Sequence, residues 1–419
     1  MKRLLLILSL ILWKVYVVAE TRSDSLLLQY LKMQGLKEYA FDRINVYTNG
    51  TDKFNSLFAD IRQAKTSIDV EYFIFANDSI GQCTIGHLLD AARRGVKVRL
   101  VIDGYKDHER GYGYDGPRLD SLRQQGIDVQ IFDPWRRPYL CHVLRDHRKI
   151  VVIDQKIGYI GGLNVADYYI NGDPEVYGGW RDTHIRITGE AVEGLIRYFD
   201  NAWNISVHGT DYERRLHAAA ANVVVPDSDL RATGSRKVVY FERSRVSKQK
   251  KSETRNAIIA AFNTAQDTLR IVSPYFLPTH TVRKALVNAI DRGVKVQILF
   301  SREGDSALLS AGNQHFSKRL LRHGAEVFLY RGAFHHSKIM MVDGSHSMVG
   351  SANLNSRSLK WDYEASCFVF DPEVTAELNA IFEQDCTNSD IMTIDDYRQK
   401  PLGKRLLGWL ANRILTPFL

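Results

Sequence analysis

The strongest constraint on this chain is a pattern that occurs twice. Residues 145–164 read Arg-Asp-His-Arg-Lys-Ile-Val-Val-Ile-Asp-Gln-Lys-Ile-Gly-Tyr-Ile-Gly-Gly-Leu-Asn, and residues 334–353 read Phe-His-His-Ser-Lys-Ile-Met-Met-Val-Asp-Gly-Ser-His-Ser-Met-Val-Gly-Ser-Ala-Asn. From each motif His, a Lys follows two residues later, an Asp seven, a Gly fourteen and an Asn seventeen. The two sets are His147, Lys149, Asp154, Gly161, Asn164 and His336, Lys338, Asp343, Gly350, Asn353. A lone His-x-Lys-x4-Asp match arises by chance at on the order of one position in ten thousand, so one copy alone would be weak. Two copies with matching downstream residues require a duplication, and two half-sets of the same chemistry imply one shared site.

The duplication extends beyond the motifs. Arg94-Gly95-Val96-Lys97-Val98 and Arg292-Gly293-Val294-Lys295-Val296 lie 198 positions apart, as do Gly126 and Gly324, while the motif histidines are offset by 189. About nine extra residues therefore precede the first motif, among them residues 133–138. Apolar periodicity predicts helix over 53–64, strand over 67–75, helix over 86–94 and strand over 96–102. The order returns as helix over 254–265, strand over 268–272, helix over 281–292 and strand over 294–300. Residues 25–39 predict an amphipathic helix packed on the first half, and Asn49-Gly50 a hairpin-like turn. The fold class is α/β: tandem halves, each a mixed sheet flanked by helices, related by a pseudo-twofold with one site at their interface.

The residue types point to phosphate chemistry. Apolar runs at 150–153 and 339–342 predict buried strands, with His147 and Lys149 on one face of the first. Lys149 and Lys338 supply positive charge where a phosphoryl transition state builds negative charge. Gly161, Gly162, Gly350 and Ser351 are small enough for backbone N–H groups to approach an anion, and Asn164 and Asn353 add amide donors, a phosphate-binding set. A His can attack phosphorus or move a proton near neutral pH, and two can divide those tasks. The set calls for no cofactor and no metal.

These residues resemble the signature of the phospholipase D superfamily, within it most nearly the bacterial cardiolipin synthases, from about residue 46 onward. The resemblance implies two phospholipase D-like domains and a catalytic set of His147, Lys149, Asp154, His336, Lys338 and Asp343. Within it, Asp154 and Asp343 are read as bracing the motif loop. It also implies that a carboxylate after each motif orients a histidine, a role carried to Asp182 and Glu364. The family's first-motif histidine is more often the nucleophile, which assigns attack to His147 and acid-base work to His336. The implied reaction is phosphatidyl transfer between two phosphatidylglycerol molecules through a phosphatidyl-histidine. A phospholipase D using water as acceptor is the alternative, and a nuclease of the same superfamily the more distant one. Pro274-Tyr275-Phe276 resembles a segment near the family's active site.

Composition agrees with a two-domain globular protein, at 45% hydrophobic and 25% charged residues. The net charge of +8 suits an anionic partner, here phospholipid and a membrane surface, with no nucleic acid expected. The four cysteines lack metal or disulfide spacing. Residues 1–20, with Lys2-Arg3 ahead of an apolar run, read as either a signal peptide ending near Ala19 or a membrane anchor, and either directs the chain to a membrane; the resemblance implies that this is a bacterial inner membrane. The first domain is taken as 40–205, a linker as 206–235 and the second domain as 236–395. Residues 243–255 carry a basic run, either a solvated face or a patch for anionic lipid. Residues 104–116, rich in Gly and Tyr, are read as either a solvated loop or one that helps cover the site. Residues 398–419 predict a basic amphipathic tail suited to an anionic interface or to packing on the protein body.

Overall fold

The computed structural model describes residues 22–106, 114, 116–132, 144–172, 179–209, 236–243 and 252–415. The apolar N-terminus, residues 133–138, most of the 104–116 loop, most of the linker and most of the basic run fall outside them.

Two mixed sheets repeat one topology. The first runs in the order Arg43–Tyr47, His184–Thr188, Ile157–Gly161, Lys149–Ile153, Ser67–Tyr72, Lys97–Asp103, Ile127–Phe132. The second has the matching order Lys237–Arg243, Glu364–Phe370, His346–Gly350, Ile339–Val342, Thr268–Val272, Lys295–Ser301, Glu326–Tyr330, with Glu38–Ala40 and Ser389–Ile391 added at its edges. In each, the last three of those seven strands are parallel and joined through helices, and the motif strands are antiparallel. The motif strands sit mid-sheet and are buried throughout, which is why they read as unbroken apolar runs.

Ile150, Val152 and Ile160 of the first sheet share one apolar core with Ile339, Met341 and Val349 of the second. Two further cores fill the outer faces under their helices. The sheets thus stack through the same strands that carry the motifs, which brings the motifs together.

Several expectations are revised. The helix Arg22–Met33 buries Leu27, Leu28 and Leu31 in the core of the second half, and Glu38–Ala40 extends that half's sheet. Chain order suggested the first half, yet the unpaired edge strand Lys237–Arg243 accepts the segment. Asn49 caps the helix Gly50–Gln63, its side chain accepting from the Asp52 N–H; Asn before a helix fills an orphan donor as readily as it makes a turn. Asp78 caps Ser79–Arg93 in the same way, so that helix starts earlier than its apolar periodicity indicated. The tail forms the helix Leu402–Leu410, with Gly408 and Ala411 buried. Among the described residues no helix is long and apolar enough to cross a membrane.

Candidate active site

Each motif histidine is held by the other half of the molecule. The His147 N–H donates to the Tyr363 carbonyl at 2.9 Å, and the His336 N–H to the Arg181 carbonyl at 2.6 Å within the ribbon pairing Phe334–His335 with Trp180–Arg181. The acceptor is in each case the residue just before a candidate carboxylate. The carboxylates are thereby delivered crosswise. Glu364 lies with both oxygens 3.1 Å from His147 Nδ1, and Asp182 Oδ2 lies 2.7 Å from His336 Nδ1. A carboxylate at Nδ1 takes the proton-bearing nitrogen and leaves Nε2 as the second functional atom.

The lysines complete the cluster. Lys149 Nζ donates to the His147 carbonyl at 2.5 Å, and Lys338 Nζ to the His336 carbonyl while lying 3.9 Å from Asp182. Lys338 Nζ also lies 2.8 Å from His336 Nδ1. Because that nitrogen's proton is directed to the Asp182 anion, we read the lysine contact as charge proximity. Both lysines are buried, and desolvation brings Lys149 down to about 7 and Lys338 down to about 8.

Burial, reinforced by Lys149 and Lys338, holds His147 well below its usual value. Burial and Lys338 bring His336 to about 3. The two carboxylates differ. Burial raises Glu364 to about 7. Burial also acts upward on Asp182, but Lys338 and His336 outweigh it and keep it below the usual carboxylate range. Lys338 acts on His147 and His147 acts on His336, so the two motifs form one electrostatic site.

Aromatic rings wall it. Phe73 meets His147 edge-on at 4.9 Å and stacks with Tyr105 at 5.4 Å. Around His336 stand Trp180 and Phe334 at 5.5 Å, Tyr275 at 6.2 Å and Tyr169 at 6.3 Å. Tyr275 donates its hydroxyl to Asp305. Tyr275 was legible in the sequence through its segment, whereas Phe73, Tyr169 and Asp305 carried no spacing signal.

The two aspartates brace the motif loop as expected of them, whereas the small residues serve the sheet. Asp154 and Asp343, counted in the catalytic set, sit at the far end of the motif strands, roughly 20 Å along an extended chain from the histidines. Asp154 accepts from the N–H groups of Lys65, Thr66 and Ser67, and Asp343 from those of Gln266, Asp267 and Thr268. They tie the motif hairpin to the start of the neighbouring strand. Their φ values of 52° and 50° fit the turn, where Asp tolerates the left-handed region.

The small residues of the expected anion cradle lie against the neighbouring strand. Gly161 and Gly350 lie within the sheet, opposite His184 and Ser366. The Gly162 N–H donates to Thr183 and the Ser351 N–H to Ala365, both at 2.9 Å. A Cβ on Gly162 would enter the Asp182 carboxylate, and one on Gly350 would enter Ser366. The small residues clear space for the carboxylate-bearing strand. Ser351 Oγ donates to Glu364 at 2.5 Å. The Asn164 amide donates to the Tyr169 hydroxyl at 2.7 Å, while Asn353 Oδ1 is buried without a protein partner. Among the described residues no group of three or more His, Cys, Asp or Glu could hold a metal ion.

Residues 57–203 and 258–386 match the family model described as "Cardiolipin synthase, PLD-like domain". The chain belongs to this family. A cardiolipin synthase of Oceanobacillus iheyensis is 30% identical over 386 residues, covering 90% of this chain and 75% of that protein. A probable cardiolipin synthase of Bacillus subtilis is 32% identical over 374 residues, covering 86% and 69%. A solved phosphatidylserine synthase of Haemophilus influenzae superposes with a TM-score of 0.74 at 16% identity, over 95% of this chain and all of that one, and so shares the fold. The family membership makes this chain a cardiolipin synthase type enzyme, a phosphatidyltransferase with phospholipase D-like halves.

Proposed function

We propose that the enzyme joins two phosphatidylglycerol molecules into cardiolipin at a membrane surface, through a phosphatidyl group carried on His147. The observation that carries this reading is the unequal crosswise pairing of the two histidines. Asp182, ionised and 2.7 Å from His336, stabilises an imidazolium there, as an acid-base residue needs. Glu364, raised to about 7 by burial, does this less well and leaves His147 a neutral imidazole with a free Nε2 lone pair, as a nucleophile needs.

In the first step His147 Nε2 forms a bond to phosphorus, the phosphorus–oxygen bond to glycerol breaks, and His336 gives its Nε2 proton to the departing glycerol. Burial and then Lys338 keep His336 neutral; the charge of the phosphodiester works against both, so substrate itself favours the protonated acid. In the second step His336 takes the proton from the hydroxyl of another phosphatidylglycerol, whose oxygen displaces His147. Lys149 and Lys338 meet the charge on the non-bridging oxygens throughout.

The test is a quenched reaction with phosphatidylglycerol labelled in its phosphatidyl part, followed by peptide mapping and lipid analysis. Label on a peptide containing His147, with cardiolipin and glycerol as products, is expected. Label on the His336 peptide would reverse the roles. Phosphatidic acid in place of cardiolipin would make water the acceptor.

A further inference from the structure

The helix Leu402–Leu410 lies beyond the segments that match the family, and among the described residues it is fastened to the protein along one side. A Cβ on Gly408 would collide with the Ala311 carbonyl and the His315 side chain of the helix Ala307–His323. Ala411 is fully buried, and the Asn412 amide donates to the Gly312 carbonyl at 2.9 Å. The free side carries Leu402, Leu406 and Trp409, which are 78%, 57% and 45% exposed. Steps of four and then three residues align them as one apolar stripe.

Cations surround the stripe. Lys404 and Arg413 are exposed and Arg405 half-buried, and Lys318, Arg319 and Arg322 come from the supporting helix. Among the described residues none of these six has a carboxylate at ion-pair distance. They crowd one another. Lys318 is held below its ordinary value by burial and then by Arg322 and Arg405. Arg283 is held down by burial and then by Arg319 and Arg413. An apolar ridge flanked by these cations matches the interface of an anionic bilayer. Two copies meeting through this face would set like charges against each other.

We infer that this face docks the enzyme on bilayers rich in anionic phospholipid, with Leu402, Leu406 and Trp409 entering the interface and the cations facing headgroup phosphates. The purpose of such docking rests on the proposed use of lipid substrate, and the contact itself does not. The face adjoins the site. A cavity of about 760 Å3 behind the helix is lined by Arg302, Glu303, Gly304, Asp396, Lys404 and Leu407. Gly304 lies against Phe334, Asp305 receives the Tyr275 hydroxyl, and both rings pack on His336.

The test uses the full chain reconstituted in vesicles that contain brominated phosphatidylglycerol or brominated phosphatidylcholine, which quench nearby tryptophan. The chain has six tryptophans, so Trp409→Phe isolates the relevant signal. Quenching that is lost in Trp409→Phe, and stronger with the anionic lipid, is expected. Equal quenching in wild type and Trp409→Phe overturns the docking, and equal quenching by both lipids overturns the role of the cations. Lys404→Glu with Arg413→Glu is expected to weaken the Trp409 signal on anionic vesicles, at roughly fivefold in affinity per cation removed. Transfer on monomeric short-chain phosphatidylglycerol in these variants reports separately: its retention leaves the proposed function intact whatever the vesicles show, while loss of cardiolipin formation in wild type with Trp409 still quenched sinks only the proposed function.

Discussion

Replacing Asp182 by Asn tests the crosswise site most directly. The amide has the carboxylate's shape and keeps an oxygen for the Thr183 N–H, 2.7 Å from Asp182 Oδ1, so the fold survives. What disappears is one buried negative charge, 2.7 Å from His336 Nδ1 and 3.9 Å from Lys338. A hydrogen bond to a charged group contributes about 1.5–3 kcal/mol. The attraction grows when His336 becomes an imidazolium during proton transfer, so a loss of about 2.7–4 kcal/mol in the transition state, roughly 100- to 1000-fold in rate, is expected. Glu364→Gln removes a carboxylate that sits farther away, 3.1 Å from His147 Nδ1, and is already raised to about 7 by burial. Its expected cost is roughly tenfold, about 1.4 kcal/mol. Turnover of phosphatidylglycerol, followed by mass spectrometry of extracted cardiolipin, measures both, with circular dichroism to verify folding. A Glu364→Gln cost equal to that of Asp182→Asn, or an Asp182→Asn rate within threefold of wild type, would overturn the unequal roles of the two carboxylates.

Gly162→Ala places a methyl group in the Asp182 carboxylate and is expected to depress activity about as far as Asp182→Asn does; normal activity in a folded variant would show that the carboxylate has room to move. Asp154→Ala removes the acceptor of three backbone N–H groups, two of them exposed to water, and is expected to lower stability by about 1–2 kcal/mol while the folded fraction keeps its specific activity, read by urea unfolding alongside turnover. Burial holds His184 well below its usual value, and both of its ring nitrogens lack partners. Its folded value lies below its unfolded one, so its stability contribution is complete above about pH 6.5 and declines as pH falls below that. His184→Leu is expected to flatten the fall in melting temperature between pH 6.5 and 5, and identical slopes would contradict this.

The repeat, the α/β class and the candidate catalytic pairs were readable from the sequence, because duplicated spacing and periodicity are local properties that survive reading in one dimension. His147, Lys149, His336 and Lys338 needed nothing more, and Asp182 and Glu364 were recognisable by their place after each motif. The tertiary structure alone decided which carboxylate serves which histidine. Glu364 is 217 residues from His147 and Asp182 is 154 from His336; the pairing exists because the motif strands stack across the interface and each histidine's backbone bonds the partner half. Tertiary structure also reassigned the glycines and showed which backbone N–H groups Asp154 braces. A small residue reads the same whether it makes room for an anion or for a neighbouring strand, and a carboxylate reads the same whether it faces substrate or caps backbone N–H groups. Only the position of the surrounding chain distinguishes these, and that position is set by packing between segments far apart in sequence.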